Sequence, residues 1–272
     1  MKKLVTGSLL SILVLLCFLS DLSAARDPEL EHSIAEKLTR KLNYGEAVWL
    51  GRDKNRFIGL FYDAYPSHHG DAAILLHGMG AHPDWPDVIS PLRDALPRRQ
   101  IATLSIQLPI LTSDTNVADY GWTLKPAANR IRQAIEFLRD RGFQQIILIG
   151  FNFGASTAAN YLANESQPGI DGFIAISILA RKFLRPKVDV VNLLQGIRVP
   201  ILDIYAEMDH AVILNGIADR RLAASISGNH RFRQLEIKKA QYDYNGYEHQ
   251  LVNEITEWIN KLHTDADPLQ VK

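Results

Sequence analysis

Residues 145–164 read QIILIGFNFGASTAANYLAN, and this stretch decides the fold of the chain. The apolar run at 145–150 is typical of a buried strand, and residues 154–164 are interpreted as the helix that follows it. Gly150 and Gly154 flank Asn152 between these two elements. A buried strand that enters a helix through two glycines predicts a sharp turn at the carboxyl end of a parallel strand.

The same alternation of strand and helix continues along the chain. Short runs rich in Ile, Val and Leu alternate with longer segments of helical period, which indicates a mostly parallel sheet covered by helices. Residues 47–50 and 56–62 predict a leading antiparallel pair. The further predicted strands are 72–76, 101–108, 145–150, 173–179, 200–205 and 232–237. We therefore expect an α/β domain with about eight strands, helices on both faces and no large lid domain.

Three helices have recognisable signals. Ser90 is predicted to cap a helix that has Pro91 at its first position. A second helix is predicted to begin near Pro126 and to stop at Gly142. The last helix has an apolar face that consists of Leu251, Val252, Ile255, Trp258, Ile259 and Leu262.

The turn at residues 150–154 has the G-x-S-x-G spacing of a nucleophile elbow, with asparagine in place of serine. The glycines Gly150 and Gly154 are retained because side chains there would clash in so tight a turn. Asn152 tolerates a positive φ better than most residues, so the turn can persist. A carboxamide has no ionisable hydroxyl to give to a base, so no acyl-enzyme can form at Asn152. An ordinary strand-to-helix turn is the alternative interpretation.

Polar residues follow three of the predicted strands. His77-Gly78-Met79-Gly80 comes directly after strand 72–76, and Asp209 follows the strand that ends near Tyr205. His249 lies between the last strand and the last helix. Because the carboxyl ends of parallel strands meet at one edge of a sheet, we expect these residues to lie together. Asp203, inside its strand, is a poorer candidate for a catalytic acid, and a surface helix cap is the alternative for His249.

The order of these landmarks resembles the α/β-hydrolase superfamily over nearly the whole chain after residue 25. Within it, the segments AILLHGMGAHPDW (73–85), LSIQLP (104–109) and LDIY (202–205) resemble an exported bacterial family of unknown function.

This resemblance assigns roles to residues of the site. It implies the nucleophile position at Asn152, the acid at Asp209 and the base at His249. It also implies an oxyanion and binding region that consists of His77, Gly78, Met79 and Phe153, with the Met79 N–H as a donor. The asparagine departs from the superfamily pattern and puts esterase activity in doubt.

The first 25 residues have the pattern of a secretory signal. A basic start at Lys2 and Lys3 precedes an apolar run at 4–20, and Ser23-Ala24-Ala25 supplies small residues for cleavage after Ala25. We therefore expect a periplasmic protein, residues 26–272, with no stable membrane insertion after cleavage. An uncleaved N-terminal anchor is the alternative interpretation.

Composition and charge indicate which bonds, ligands and partners are not expected for this protein. The only cysteine is Cys17, so the expected mature chain forms no disulfide. The full chain has 30 basic and 30 acidic residues, and this balance favours no nucleic-acid partner. The adjacent His68 and His69 are expected to face solvent rather than share a metal. We expect no metal and no cofactor.

Two classes of function differ in the role of Asn152. In the first, a degenerate hydrolase binds a small molecule or an envelope protein without covalent chemistry. In the second, His249 held by Asp209 acts as a general base on water or on a bound substrate, as in a non-covalent hydrolase or lyase. A weak esterase that uses an unidentified serine is a third alternative. Hydrogen bonding between Asp209 and His249 discriminates best between the first two.

Overall fold

The computed structural model describes residues 26–66, 70–179 and 184–266. The predictions for the signal sequence, including Cys17, and for His68 and His69 fall outside these residues. Within the described helices, none is long and apolar enough to cross a membrane.

Eight strands form one mixed sheet in the order β1-β2-β4-β3-β5-β6-β7-β8. β1 is antiparallel to β2 and β2 to β4, while all other neighbours are parallel. The strands are β1 Glu46–Leu50, β2 Phe57–Tyr62, β3 Asp71–Leu76, β4 Ile101–Ile106, β5 Gln145–Phe151, β6 Gly172–Ile176, β7 Ile201–Met208 and β8 Phe232–Gln241. The predicted α/β-hydrolase-like sheet, with its leading antiparallel pair, is confirmed.

Helices cover both faces of this sheet. They are α1 Pro28–Lys41, α2 Ile89–Ala95, α3 Leu124–Asp140, α4 Phe153–Asn164, α5 Val190–Gly196, α6 Ala211–Leu214, α7 Ile217–Ile226 and α8 Glu248–Ala266. Short 3-10 helices occur at Asp53–Asn55, Leu96–Arg99 and Val117–Thr123. The sequence pattern did not reveal α1, α5, α6 or α7, which are short or have weak apolar periodicity.

The core divides into two layers because side chains alternate along each strand. Ile74 and Leu76 of β3 pack with α3 and α4 on one face, while Ala73 and Leu75 pack with α2 and α8 on the other. A third, smaller cluster joins α1 to β2. The described chain is therefore a three-layer sandwich whose central strands are buried on both sides.

Two predicted helix boundaries had different outcomes. Gly142 has φ 88° and follows α3, where the Phe143 N–H bonds to the Leu138 carbonyl 3.2 Å away, so the predicted stop is confirmed. Ser90 is not the cap of α2, because the helix begins at Ile89. Pro91 is tolerated in the first turn since the first N–H groups of a helix have no intrahelical acceptor.

A buried ion pair fixes α7 against the sheet. The Arg220 Nε lies 2.8 Å from the Asp203 Oδ2, and both side chains are almost fully buried. The Gln234 Nε2 donates to the same oxygen over 2.9 Å, and the Arg220 Nη1 donates to the Ile213 carbonyl over 3.0 Å. Asp203 is therefore a structural residue, in agreement with its position inside β7.

Replacing Arg220 with methionine should lower the free energy of unfolding by about 3 kcal/mol or more, because Asp203 would stay buried without a counter-charge. Urea unfolding of Arg220→Met and of the exposed control Arg221→Met measures the difference. The double variant Asp203→Leu with Arg220→Met should recover part of the loss. Equal stability of the Arg220 and Arg221 variants would contradict this role.

Candidate functional site

The turn between β5 and α4 has the strained geometry of a nucleophile elbow. Asn152 has φ 56° and ψ −116° and lies directly before the first residue of α4. A Cβ atom added to Gly150 would lie 2.5 Å from the Ala155 Cα, and one added to Gly154 would lie 2.2 Å from the Leu76 carbonyl oxygen. No side chain fits at either glycine, so the backbone that presents a nucleophile is retained around an amide.

Both ends of the Asn152 carboxamide are bound within the protein. Its Oδ1 accepts from the Phe153 N–H over 2.7 Å, and its Nδ2 donates to the hydroxyl oxygen of Tyr242 in a short contact. Asn152 is only 9% exposed. The N–H of the residue after the nucleophile is an oxyanion-hole donor in this fold. In this chain that donor is already occupied by the asparagine.

The loop after β3 lies against the elbow. A Cβ atom added to Gly78 would lie 3.6 Å from the Asn152 Cβ. The Ala81 N–H bonds to the Gly78 carbonyl, which closes a tight turn over Met79. The Met79 N–H, which the sequence analysis predicted as an oxyanion donor, has no acceptor within the described residues.

His77 is buried, and its ring forms hydrogen bonds within the protein instead of facing a ligand. Its Nδ1 donates to the Gly78 carbonyl over 2.8 Å, and its Nε2 accepts from the Leu108 N–H over 2.9 Å. The Gln107 side chain also lies 3.0 Å from this Nε2. Burial lowers the pKa of His77 to about 3, so the ring is neutral near pH 7. This neutral ring fastens the loop after β3 to the loop after β4.

Asp209 is buried and bonded, but not to His249. Its Oδ2 accepts from the Ser177 hydroxyl over 2.5 Å and from the Ala206 N–H over 3.2 Å, and its Oδ1 accepts from the His210 N–H over 2.8 Å. The Ser177 hydroxyl also lies 3.0 Å from that of Tyr244. The carboxylate thus anchors the loop after β7 to the end of β6.

His249 lies exposed in the first turn of α8. Within the described ranges, its imidazole forms no hydrogen bond or ion pair with Asp209 or with any other residue. The expected dyad is therefore not assembled in the structure. The helix brings this residue to the surface because its buried face begins at Leu251.

Tyr242 and His210 are the site residues that the sequence analysis missed. Tyr242 directly follows β8 and reaches the Asn152 amide. Its ring lies 5.2 Å from that of Phe151 and 4.3 Å from that of His210, between centroids. The position of Tyr242 in the sequence could have identified it, because a residue that directly follows the last strand lies at the carboxyl edge of the sheet.

The remaining serines near the elbow are bound in the fold. The Ser156 hydroxyl donates to the Leu179 carbonyl over 2.5 Å, and the Ser177 hydroxyl donates to Asp209. Neither has a histidine as hydrogen-bond partner in the described structure. Among all the residues that the structure describes, no cluster of three His, Cys, Asp or Glu side chains could hold a metal ion.

The buried neutral state of His77 predicts a pH dependence of stability. Its pKa is about 3 in the folded state and 6.5 as its ordinary value, so the unfolded chain binds the extra proton first. Stability should therefore fall as the pH drops below 6.5, by about 1.4 kcal/mol per unit well below that value. Chemical unfolding between pH 7 and pH 4, at about half-unit steps, should show a shallower slope in His77→Gln.

His230→Gln is the matched control, because His230 is exposed and lies on the loop before β8. Its slope should equal that of the native protein. Identical slopes for the native protein and His77→Gln would contradict the burial of a neutral ring.

Comparison with solved structures supports the fold. Est1E from Butyrivibrio proteoclasticus has a TM-score of 0.63 at 14% identity, covering 80% of this chain and 99% of Est1E. Dienelactone hydrolase from Anabaena variabilis has a TM-score of 0.62 at 18% identity, covering 79% and 96% of the two chains. XC6422 from Xanthomonas campestris, an α/β serine hydrolase without a lid, has a TM-score of 0.61 at 15% identity, covering 80% and 95%. At these identities the likeness establishes the α/β-hydrolase fold alone.

Family comparison identifies the chain itself. No curated protein matches it significantly. A family model described as a protein of unknown function, DUF3530, matches residues 22–121 and 112–261, which together span most of the chain. The fold is a mostly parallel sheet with an elbow after β5. The chain therefore belongs to the DUF3530 family.

Proposed function

We propose that this protein is a degenerate α/β-hydrolase that binds its ligand without forming a covalent intermediate. The observation that carries this proposal is the Asn152 amide, which is bound at Oδ1 by the Phe153 N–H and at Nδ2 by the Tyr242 hydroxyl. An amide cannot attack a carbonyl as an activated hydroxyl does. Its oxygen also fills the position in which a substrate oxyanion would be stabilised.

The arrangement of acid and base supports binding over catalysis. A working general base needs an orienting partner and access to the substrate. Asp209 bonds to Ser177 and to backbone N–H groups, and the exposed His249 has no partner within the described residues. The hypothesis of a general base at His249 therefore has no supporting contact. The serine hydrolase named among the structural neighbours is a likeness of fold alone.

The edge of the site offers contacts for a small ligand. The Met79 N–H has no acceptor among the described residues and follows Gly78, which lies against Asn152. The rings of Tyr242 and His210 form an aromatic wall. His210 is exposed, so solvent reaches this wall. These groups suit an uncharged molecule that has a hydrogen-bond acceptor next to a planar apolar part. The signal-like first 25 residues support a periplasmic location for this binding, with an envelope protein as the alternative partner.

Serine-directed fluorophosphonate probes should not label the native protein, because no activated hydroxyl lies at the elbow. Asn152→Ser should also stay unlabelled, since no imidazole bonds to residue 152 in the described structure. The double variant Asn152→Ser with Tyr242→His should become labelled, because a histidine at 242 would lie beside the new hydroxyl. Gel fluorescence after probe treatment measures each outcome.

The matched control is Asn152→Gly with Tyr242→His, which has the imidazole but no hydroxyl at the elbow. Labelling of the native protein at any serine would overturn the proposal. Labelling of Asn152→Ser alone would indicate that another base reaches the elbow and would revive the enzymatic alternative.

The contact between Asn152 and Tyr242 should be measurable as a coupling free energy. We expect about 1 kcal/mol from a double-mutant cycle of Asn152→Gly and Tyr242→Phe, the usual size for a hydrogen bond within a protein. Glycine is chosen because φ 56° would strain alanine. Urea unfolding of the four proteins gives the value. Strict additivity of the two changes would show that the contact contributes nothing to stability.

A further inference from the structure

A turn at one edge of the sheet combines an exposed tryptophan with exposed cations. The turn between β1 and β2, residues 51–56, has the sequence GRDKNR. Arg52, Lys54 and Arg56 are all exposed, and their side chains form no ion pair within the described parts of the chain. Trp49, at 41% exposure, lies under the guanidinium of Arg56, whose Cζ is 5.0 Å from the ring centroid.

The beginning of the described chain lies on the same face. The Arg26 Nη2 donates to the Lys54 carbonyl over 2.8 Å, so residue 26 is fastened to the turn. A cleft of about 500 Å³ is lined by Arg26, Trp49, Lys54 and Arg56. Its acidic lining residues are Asp53 and Glu31, and Glu31 is shared between the buried Arg130 at 2.7 Å and Arg26 at 3.8 Å. The charge that remains on this cleft is positive.

A neighbouring cleft of about 780 Å³ shares Arg26, Trp49 and Lys54, and its Arg130 and Arg132 are already paired with Glu31 and Glu165. It is also lined by Arg52 and by the carboxylates of Asp53, Glu136 and Asp140. These carboxylates oppose a multiply charged soluble anion that would have to enter between the turn and α3. A flat anionic surface needs only the exposed turn and the edge of Trp49. The distribution of charge therefore favours a surface over an enclosed anion.

We propose that the face that consists of Arg26, Trp49, Arg52, Lys54 and Arg56 docks on an anionic phospholipid membrane. Tryptophan is enriched at membrane interfaces, and cations near an anionic bilayer contribute additively to binding. The apolar sequence 4–20 joins the domain through Arg26, so this face is the part of the domain covalently nearest the export membrane. Cleavage after Ala25 would add the positive α-amino group of Arg26 to the same face.

Sedimentation with vesicles tests the proposal on the chain that begins at Arg26, which contains the whole described sheet and its core. Vesicles of equal parts phosphatidylglycerol and phosphatidylcholine should bind it, and vesicles of phosphatidylcholine alone should not. The triple variant Arg52→Gln, Lys54→Gln, Arg56→Gln should bind about a hundredfold more weakly, at about fivefold per cation. Raising the salt from about 0.05 M to about 0.5 M should release the native protein.

The matched control is Arg231→Gln, Arg233→Gln, Lys239→Gln, which removes the same charge at the opposite edge of the sheet. Its binding should be close to native. Trp49→Ala should also weaken binding, whereas Trp122→Ala, at a site of 45% exposure, should not. Equal loss in the two triple variants would mean that net charge alone attracts the protein, and would overturn the proposed face.

A variant that is expected to bind more tightly also tests the proposal, because a misfolded protein would not show a gain of binding. Asp53 is the one acidic residue of the turn and has φ 50°, a conformation that asparagine also adopts. Asp53→Asn should therefore strengthen binding to the anionic vesicles by about fivefold. Unchanged binding of Asp53→Asn would contradict the proposal. Asn152 lies outside this face, so the variants of the elbow should bind vesicles as the native protein does.

Discussion

The Leu76 carbonyl oxygen leaves no room for a side chain at residue 154, because a Cβ there would lie 2.2 Å away. This close approach lets the start of α4 pack on the end of β3, and Gly150 permits the same at the end of β5. The chain must then turn within Asn152, which takes the strained φ of 56°. The loop after β3 and the residue after β8 contact this turn, and the loop after β7 reaches it through the His210 ring, which lies against Tyr242.

The asparagine at this turn uses its side chain for hydrogen bonds within the protein. The elbow usually stores backbone strain in order to present a hydroxyl. In this protein the same strained residue caps α4 with its own Oδ1 and reaches Tyr242 with its Nδ2. Hydrogen bonds made at both ends of the amide offset part of the strain. These two hydrogen bonds are the basis on which we propose a binding role for the site.

Neutral and paired polar groups hold the loops around the elbow. His77, neutral because burial lowers its pKa, connects two of these loops, and Gln107 in turn accepts from Arg130, which is bonded to Glu31 of α1. Such hydrogen bonds offset the cost of burying polar groups, although the Gln107 Oε1 has no partner in the described structure. The network therefore links the first helix of the domain to the candidate site. It also connects the basic face to the same network, because Glu31 is paired with Arg26.

The sequence by itself determined the α/β class, the strand positions, the stop at Gly142 and the elbow with asparagine at its centre, because apolar periodicity and glycine requirements are local. It did not determine the cap of α2, where Ser90 lies inside the helix. Only the tertiary structure decided that Asp209 bonds Ser177 rather than His249, and that Tyr242, 90 residues away in sequence, holds Asn152. The physical reason is that hydrogen-bond partners at a sheet edge come from separate loops, whose side-chain directions depend on packing that no single segment encodes.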